Sequence, residues 1–185
     1  KDLHQDSESG DRTAYGLPYN QDNVIEALAA ANPNLAVCII SGNAVAMPWV
    51  AQVPAIVECW YCGSQAGNSI ADVVFGKVNP SGKLPFTFPV KIEDSPAHAL
   101  DAYTCGPDVK YKESIYVGYR WFDTKEIKPL FAFGHGLSYT EFEYSDFKAS
   151  SSISANGTLK ASVKVKNIGS REGKEVVQLY IGEQS

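Results

Sequence analysis

Gly76-Lys77-Val78-Asn79-Pro80-Ser81-Gly82-Lys83-Leu84-Pro85-Phe86-Thr87-Phe88-Pro89 is the stretch in which one kind of structure ends and another begins. Gly76 follows the apolar run Ile70 to Phe75, at a point where a left-handed residue ends a helix. Asn79-Pro80-Ser81-Gly82 is turn chemistry, so the helix stops there. Pro85 and Pro89 bracket Phe86-Thr87-Phe88 as an extended segment that continues neither as helix nor as central strand. The recurrence of Gly-Lys raises a phosphate-binding reading. A P-loop needs four residues between its glycines and Ser or Thr after its lysine; here five residues separate Gly76 from Gly82, and Leu84 follows Lys83. The stretch is therefore read as a structural turn.

Upstream, helical and strand patterns alternate. Gln21 to Ala31 places Val24, Ile25 and Leu28 at helical spacing before Asn32-Pro33-Asn34 breaks the pattern. Leu35 to Ile40 is a short continuous apolar run, as expected of a strand buried on both faces, and Ala55 to Tyr61 is a second. Ala44 to Ala51 is read as a short intervening helix starting near Asn43, and Gln65 to Phe75 as a helix with Ile70, Val73 and Val74 on one side. The order helix, strand, helix, strand, helix describes an α/β layer with a partly parallel sheet. Its ligand sites are expected at the carboxyl ends of the strands, Ser41-Gly42-Asn43 and Trp60 to Ser64.

Downstream, Val90 to Pro107 is a long irregular connection of the kind that covers sites. Tyr111 to Asp123 is dense in aromatics and reads either as a packed extended segment or as a wall that stacks on sugar rings. Gly134-His135-Gly136 lacks the third glycine of a dinucleotide fingerprint, and His135 reads as a hydrogen-bonded structural histidine. Beyond Tyr139 the period changes to two. Leu159, Ala161, Val163 and Val165 alternate with Lys160, Ser162, Lys164 and Lys166, and Phe142 to Phe147 and Glu175 to Ile181 are read as further strands, the start of a β-sandwich.

The 185 residues, 44% of them hydrophobic, suffice for one full core and the beginning of a second. The net charge of −5, with 16 thinly spread basic residues, argues against nucleic acid and anionic membranes as partners. No apolar run approaches the roughly 20 residues of a membrane span. Met47 is the sole methionine, so Lys1 is expected to lie inside a longer protein. Four cysteines, Cys38, Cys59, Cys62 and Cys105, include one CxxC but no second ligand pair for zinc. Cys38 and Cys59 are expected to be small buried side chains, with thiol redox chemistry at Cys59-Trp60-Tyr61-Cys62 as a minor alternative.

Four blocks together resemble glycoside hydrolase family 3, the β-glucosidase and β-xylosidase family: Ser7-Glu8-Ser9-Gly10-Asp11-Arg12 with Leu17-Pro18; Gly76 to Pro89; Tyr111 to Arg120; and Phe131 to Tyr139 with Thr140-Glu141-Phe142. The resemblance implies an α/β-sandwich domain over residues 1–139, then at 140–185 the first strands of a fibronectin type III-like β-sandwich. It also implies an upstream (β/α)8 barrel carrying an aspartate nucleophile. By the family's Glu-Gly-x-Asp-Arg pattern, Glu8 is the candidate acid/base, with Asp11 and Arg12 supporting its loop. Ser9 and Gly10 replace the usual Gly and variable residue, and Ser114 stands where the family usually has glycine. The implied substrate is a β-linked oligosaccharide or aryl glycoside, with no cofactor and no metal, and the implied location is periplasmic or secreted. Asn156-Gly157-Thr158 is a formal glycosylation sequon, with meaning only in a eukaryotic secretory host. A non-catalytic carbohydrate-binding or interaction module is the alternative reading.

Overall fold

A computed structural model describes residues 14–103 and 107–182. Glu8, Asp11, Arg12 and Cys105 lie outside the described residues. The chain divides into two compact units, residues 1–71 with 84–135 and residues 72–83 with 136–185.

In the first unit, α1 spans Gln21–Ala31. It begins at Asn20, whose left-handed backbone (φ 62°) turns the chain and whose Oδ1 accepts a hydrogen bond from Asn23 Nδ2 at 2.7 Å. It ends where the Asn32 N–H reaches Leu28 O at 2.8 Å and Asn32 Oδ1 accepts from the Asn34 N–H at 3.0 Å, a local turn that competes with further helix. The inward stripe is Ile25 and Ala29, one helical turn apart. Val24 and Leu28 face outward. Asp22 Oδ1 accepts the indole N–H of the fully buried Trp49 at 2.7 Å, which ties this helix to the core.

β1 (Ala36–Ile39) and β2 (Ala55–Glu58) pair in parallel, with Ala36 opposite Ala55 and Ile39 opposite Glu58. The Cys59 N–H extends the ladder to Ile39 O at 2.8 Å. Of the β1 residues Ile39 alone is buried, while Ala36 and Cys38 are exposed. The expectation of a strand and a Cys38 side chain enclosed on both faces is thus corrected. Among the described residues β1 has one ladder neighbour, and apolar continuity in sequence does not supply a second covering layer.

Between the strands the expected helix over Ala44 to Ala51 is absent. Val45, Met47 and Trp49 are buried while Ala46 and Pro48 are more open, a period of two that carries an extended segment through the core. The Ala46 N–H is satisfied by Tyr15 O at 2.9 Å, and a 3-10 turn follows at Val50–Gln52. Pro48, lacking an N–H, suits that extended path better than a helix interior.

Leu84 to Phe88 runs beside Phe131 to His135. The Phe88 N–H bonds Phe131 O at 2.8 Å, and the Leu84 N–H bonds His135 O at 2.8 Å. The contact is an isolated antiparallel bridge rather than a sheet, as the bracketing prolines require. Phe88 is 1% exposed and stacks on Phe86 at 5.5 Å, with Trp60 edge-on at 6.2 Å and Phe131 at 6.3 Å. This aromatic cluster joins Ile39, Val45, Met47, Trp49 and Val53 in one core.

The connection after Val90 is more structured than its composition suggests. It holds a 3-10 turn at Ile92–Asp94 and α3 (Pro96–Ala99), with proline in the first turn, where its missing N–H costs nothing. α4 (Tyr119–Thr124) corrects the reading of Tyr111 to Asp123 as one extended segment. Trp121 and Phe122 are buried, and Trp121 Nε1 donates to Asp94 O at 3.1 Å, whereas Tyr111, Ile115 and Val117 are exposed.

The boundary between the units falls within α2 (Ala66–Val74), and again after Lys83 and after His135. In the second unit Gly76 (φ 73°) ends α2 by donating to Val73 O at 2.9 Å. Asn79 then acts as a staple: its Oδ1 accepts from Ser138 Oγ at 3.0 Å and the Tyr139 N–H at 2.8 Å, and its Nδ2 donates to Glu172 O at 2.9 Å. Lys83 pairs with Glu175 at 3.1 Å, both side chains largely buried. A Cβ on Gly136 would collide with the Gly82 carbonyl, so the backbones at Gly82 and Gly136 approach as closely as they do because position 136 is bare.

β3 (Phe142–Ala149) and β4 (Ala161–Asn167) form an antiparallel pair with a bulge between Ser145 and Lys148. Residues 175–181, expected as a third strand, form no ladder among the described residues, and Val177, Leu179 and Ile181 stay exposed. Alternation marks a segment able to pair; a strand exists only where a neighbour supplies the hydrogen bonds.

Candidate functional site

The carboxyl ends of β1 and β2 lie side by side, the place where open parallel sheets present ligand sites. Beyond β1 the chain turns through Ser41, Gly42 and Asn43. Ser41 is 5% exposed and its Oγ donates to Asn43 O at 2.7 Å, while Asn43 Oδ1 accepts the Ala44 N–H at 2.9 Å. Two side-chain bonds thereby close a tight turn at the strand end.

β2 ends on Glu58. Its Oε1 accepts the Trp60 N–H at 3.1 Å and lies 3.5 Å from Ser41 Oγ, so one carboxylate bridges both strand ends. Its other oxygen, Oε2, is buried without a hydrogen-bond partner. Burial pushes the Glu58 carboxyl up to about 6, against the lowering effect of the bonds from Trp60 and Ser41. The group sits half-protonated near pH 6, the range in which a carboxyl both holds and releases a proton.

Trp60 adopts φ 49°, a left-handed conformation that a bulky residue takes only where its surroundings hold it. The hold is visible: the N–H is fixed by Glu58, and the indole packs against both rings of the stacked Phe86–Phe88 pair, at 5.6 and 6.2 Å. The consequence is a switch of direction, Trp60 into the core and Tyr61 outward with 61% of its surface exposed. Tyr61 lies over Gly42. A Cβ there would come within 2.7 Å of Tyr61 Cε2 and 2.9 Å of its hydroxyl, so the bare α-carbon makes room for the ring.

The CxxC expected as a minor redox alternative is embedded here. Cys59 and Cys62 are half-buried free thiols, and Cys62 Sγ donates to Cys59 O at 2.8 Å. Burial first, then repulsion from charge on the neighbouring Cys38 and Cys62, pushes the Cys59 thiol up to about 12, which suppresses the nucleophilic thiolate. The described residues include no cluster of three or more His, Cys, Asp or Glu able to hold a metal, and no helix long and apolar enough to cross a membrane. His135 stacks on Phe131 at 5.0 Å, and its backbone carbonyl accepts from the Leu84 N–H at 2.8 Å.

Sequence reading located the two strand ends but assigned no role to Glu58, Gly42 or Tyr61. The available signal was a single carboxylate inside the apolar run Ala55 to Tyr61. A charge in a buried strand has to be explained by a partner, a proton or a ligand.

Residues 2–139 match the glycosyl hydrolase family 3 C-terminal domain. The whole chain is 53% identical to a β-glucosidase of Bacteroides ovatus, covering 25% of that protein, and 95% of it is 49% identical to thermostable β-glucosidase B of Acetivibrio thermocellus, covering 23%. The fold superposes on the crystal structure of DesR, a β-glucosidase from Streptomyces venezuelae in complex with D-glucose, with a TM-score of 0.82 and 41% identity over 89% of this chain and 21% of that one. It also resembles β-glucosidase from Kluyveromyces marxianus in complex with glucose, at a TM-score of 0.80 and 39% identity over 89% of this chain and 19% of that one. The chain spans about a quarter of the length of the curated relatives it matches. With three quarters of its residues under the family model and parallel α/β geometry beneath them, this chain belongs to the glycosyl hydrolase family 3 C-terminal domain family.

Proposed function

We propose that this chain is part of a retaining, exo-acting β-glycosidase of the β-glucosidase or β-xylosidase type, to which it supplies the acid/base carboxylate and part of the sugar site. The observation that carries this reading is the 53% identity, along the entire chain, to a protein named as a β-glucosidase. Glu8 is the acid/base, and Asp11 and Arg12 support its loop; their support is the Glu-x-x-Asp-Arg spacing. Retaining hydrolysis needs two carboxyl groups about 5 Å apart, one attacking the anomeric carbon and one protonating the leaving oxygen before deprotonating water. Glu8 performs the second role, and the nucleophile is an aspartate on a barrel domain upstream. In this reading residues 1–139 are the α/β-sandwich domain, and residues 140–185 open a fibronectin type III-like domain, for which the antiparallel pair β3 and β4 is the support.

The test is Glu8→Gln in the full-length protein. Turnover of glycosides with poor leaving groups falls steeply while activated aryl glycosides are largely spared, because only a poor leaving group needs the proton. Equal loss on both classes defeats the acid assignment, and hydrolysis by the 185-residue chain alone defeats the placement of the nucleophile elsewhere.

A further inference from the structure

We propose that Tyr61, seated on Gly42 at the carboxyl ends of β1 and β2, is a stacking platform for a pyranose ring of the substrate, a binding residue separate from the carboxylate chemistry. The inference rests on the glycosidase reading above and adds to it a named sugar contact.

Position is the first argument. The two strands end side by side, and Tyr61 leaves the second of them where a parallel sheet presents its ligand crevice. Construction is the second. Trp60 is held at φ 49° by Glu58 and by the ring contacts of its indole with Phe86 and Phe88, and this strained residue turns the chain so that the next side chain points out of the core. The third is the seat. Gly42 leaves room for a ring that any side chain there would displace, so Tyr61 is supported beneath while 61% of its surface stays open.

A rigid aromatic face with a hydroxyl at its tip gives large contact area at small conformational cost. The chain around it is rich in uncharged hydrogen-bonding groups: Asn43 follows Gly42, and Ser64, Gln65 and Asn68 follow Tyr61, with Asn68 Nδ2 on Gln65 Oε1 at 2.7 Å and exposed. An aromatic face for the C–H side of a ring, with amides and hydroxyls nearby for its oxygens, is the chemistry a neutral sugar requires. A charged ligand would find no opposing cation among these side chains.

The experiment uses the full-length protein with cellobiose as substrate. Tyr61→Ala raises KM by about tenfold with kcat little changed, whereas Tyr61→Phe, which keeps the face, stays within about twofold of wild type. Gly42→Ala keeps Tyr61 but unseats it and raises KM in the same way, and adding Gly42→Ala to Tyr61→Ala causes no further rise. Unchanged KM in Tyr61→Ala overturns the proposal, as does loss of kcat at constant KM. A fall in unfolding temperature at constant KM assigns Tyr61 to protein packing and overturns it equally. Titration of the Glu8→Gln protein with cellobiose separates this claim from the glycosidase reading: if wild type hydrolyses no glycoside, that reading fails, and the platform still stands or falls by whether Tyr61→Ala weakens binding.

Discussion

Replacing Glu58 by glutamine should make the first unit more stable at pH 8 and leave it unchanged near pH 4. The carboxyl is held at about 6 in the folded chain against an ordinary value of 4.5. Below pH 4.5 the folded and unfolded states both carry the proton, and burial costs nothing. Between 4.5 and 6 the unfolded chain releases a proton that the folded chain keeps, so stability falls as pH rises. Above 6 the native state carries a buried anion, and the fall is complete. A shift of about 1.5 units corresponds to about 2 kcal/mol, which partial solvent access around the group reduces to about 1 kcal/mol. Glutamine keeps an oxygen for the Trp60 N–H and removes the charge, so it recovers this amount above pH 6 and nothing below 4.5.

All three tryptophans, Trp49, Trp60 and Trp121, lie in the unit that contains Glu58, so urea unfolding followed by tryptophan fluorescence reports on the relevant core. The expected result is a Glu58→Gln midpoint above wild type at pH 8, with the two curves converging as pH falls through 6 to 4.5. A variant less stable than wild type at pH 8 refutes the reasoning, because it means the charge is repaid by a partner of Oε2. A constant difference across the whole range refutes it as well, because an effect of ionisation has to vanish where the group is neutral.

Asp22→Ala leaves the indole N–H of a fully buried Trp49 without an acceptor and should cost about 2 kcal/mol, while Asp22→Asn, which keeps an oxygen in place, costs well under 1 kcal/mol; equal losses in urea midpoints would show that the bond is not what matters. Ser114 sits at φ 54°, and Ser114→Gly should gain about 0.5–1 kcal/mol, left-handed strain relieved less the entropy of a freer unfolded chain, read as a rise of about 2 °C in thermal unfolding; a fall in temperature would reject the strain. Lys83→Met strands Glu175 in a largely buried position and should cost about 3 kcal/mol, with Lys83→Met/Glu175→Met recovering most of it, as measured by hydrogen exchange of the β3 and β4 amides; a double variant as unstable as the single would point to lost packing.

What the sequence made legible follows from how local each signal is. α1 runs over the expected residues because its Asn-Pro-Asn stop is written within the segment, although of Val24, Ile25 and Leu28 only Ile25 turns inward. Gly76 ends α2 and the two prolines keep Leu84 to Phe88 out of a sheet, since both constraints are covalent. The misreadings share one cause. In Ala44 to Ala51 the alternation of Val45, Met47 and Trp49 was present, but short apolar segments fit periods of two and of 3.6 alike until a neighbouring element fixes which faces are covered. Cys38 is exposed for the same reason, because burial of a strand is a property of the layers on either side of it. The strand-end site shows the limit most sharply. In the sequence Glu58 is a lone charge in an apolar run, Gly42 one residue of a polar strand end and Tyr61 one aromatic among many. Only the parallel register brings Gly42 beneath Tyr61, and only the left-handed turn at Trp60 sends Tyr61 outward. A motif reading proposes residues from their own spacing, as it does Glu8 with Asp11 and Arg12. Residues that act by being placed, such as Glu58 fixing Trp60 and Gly42 yielding to Tyr61, become visible when the backbone that places them is known.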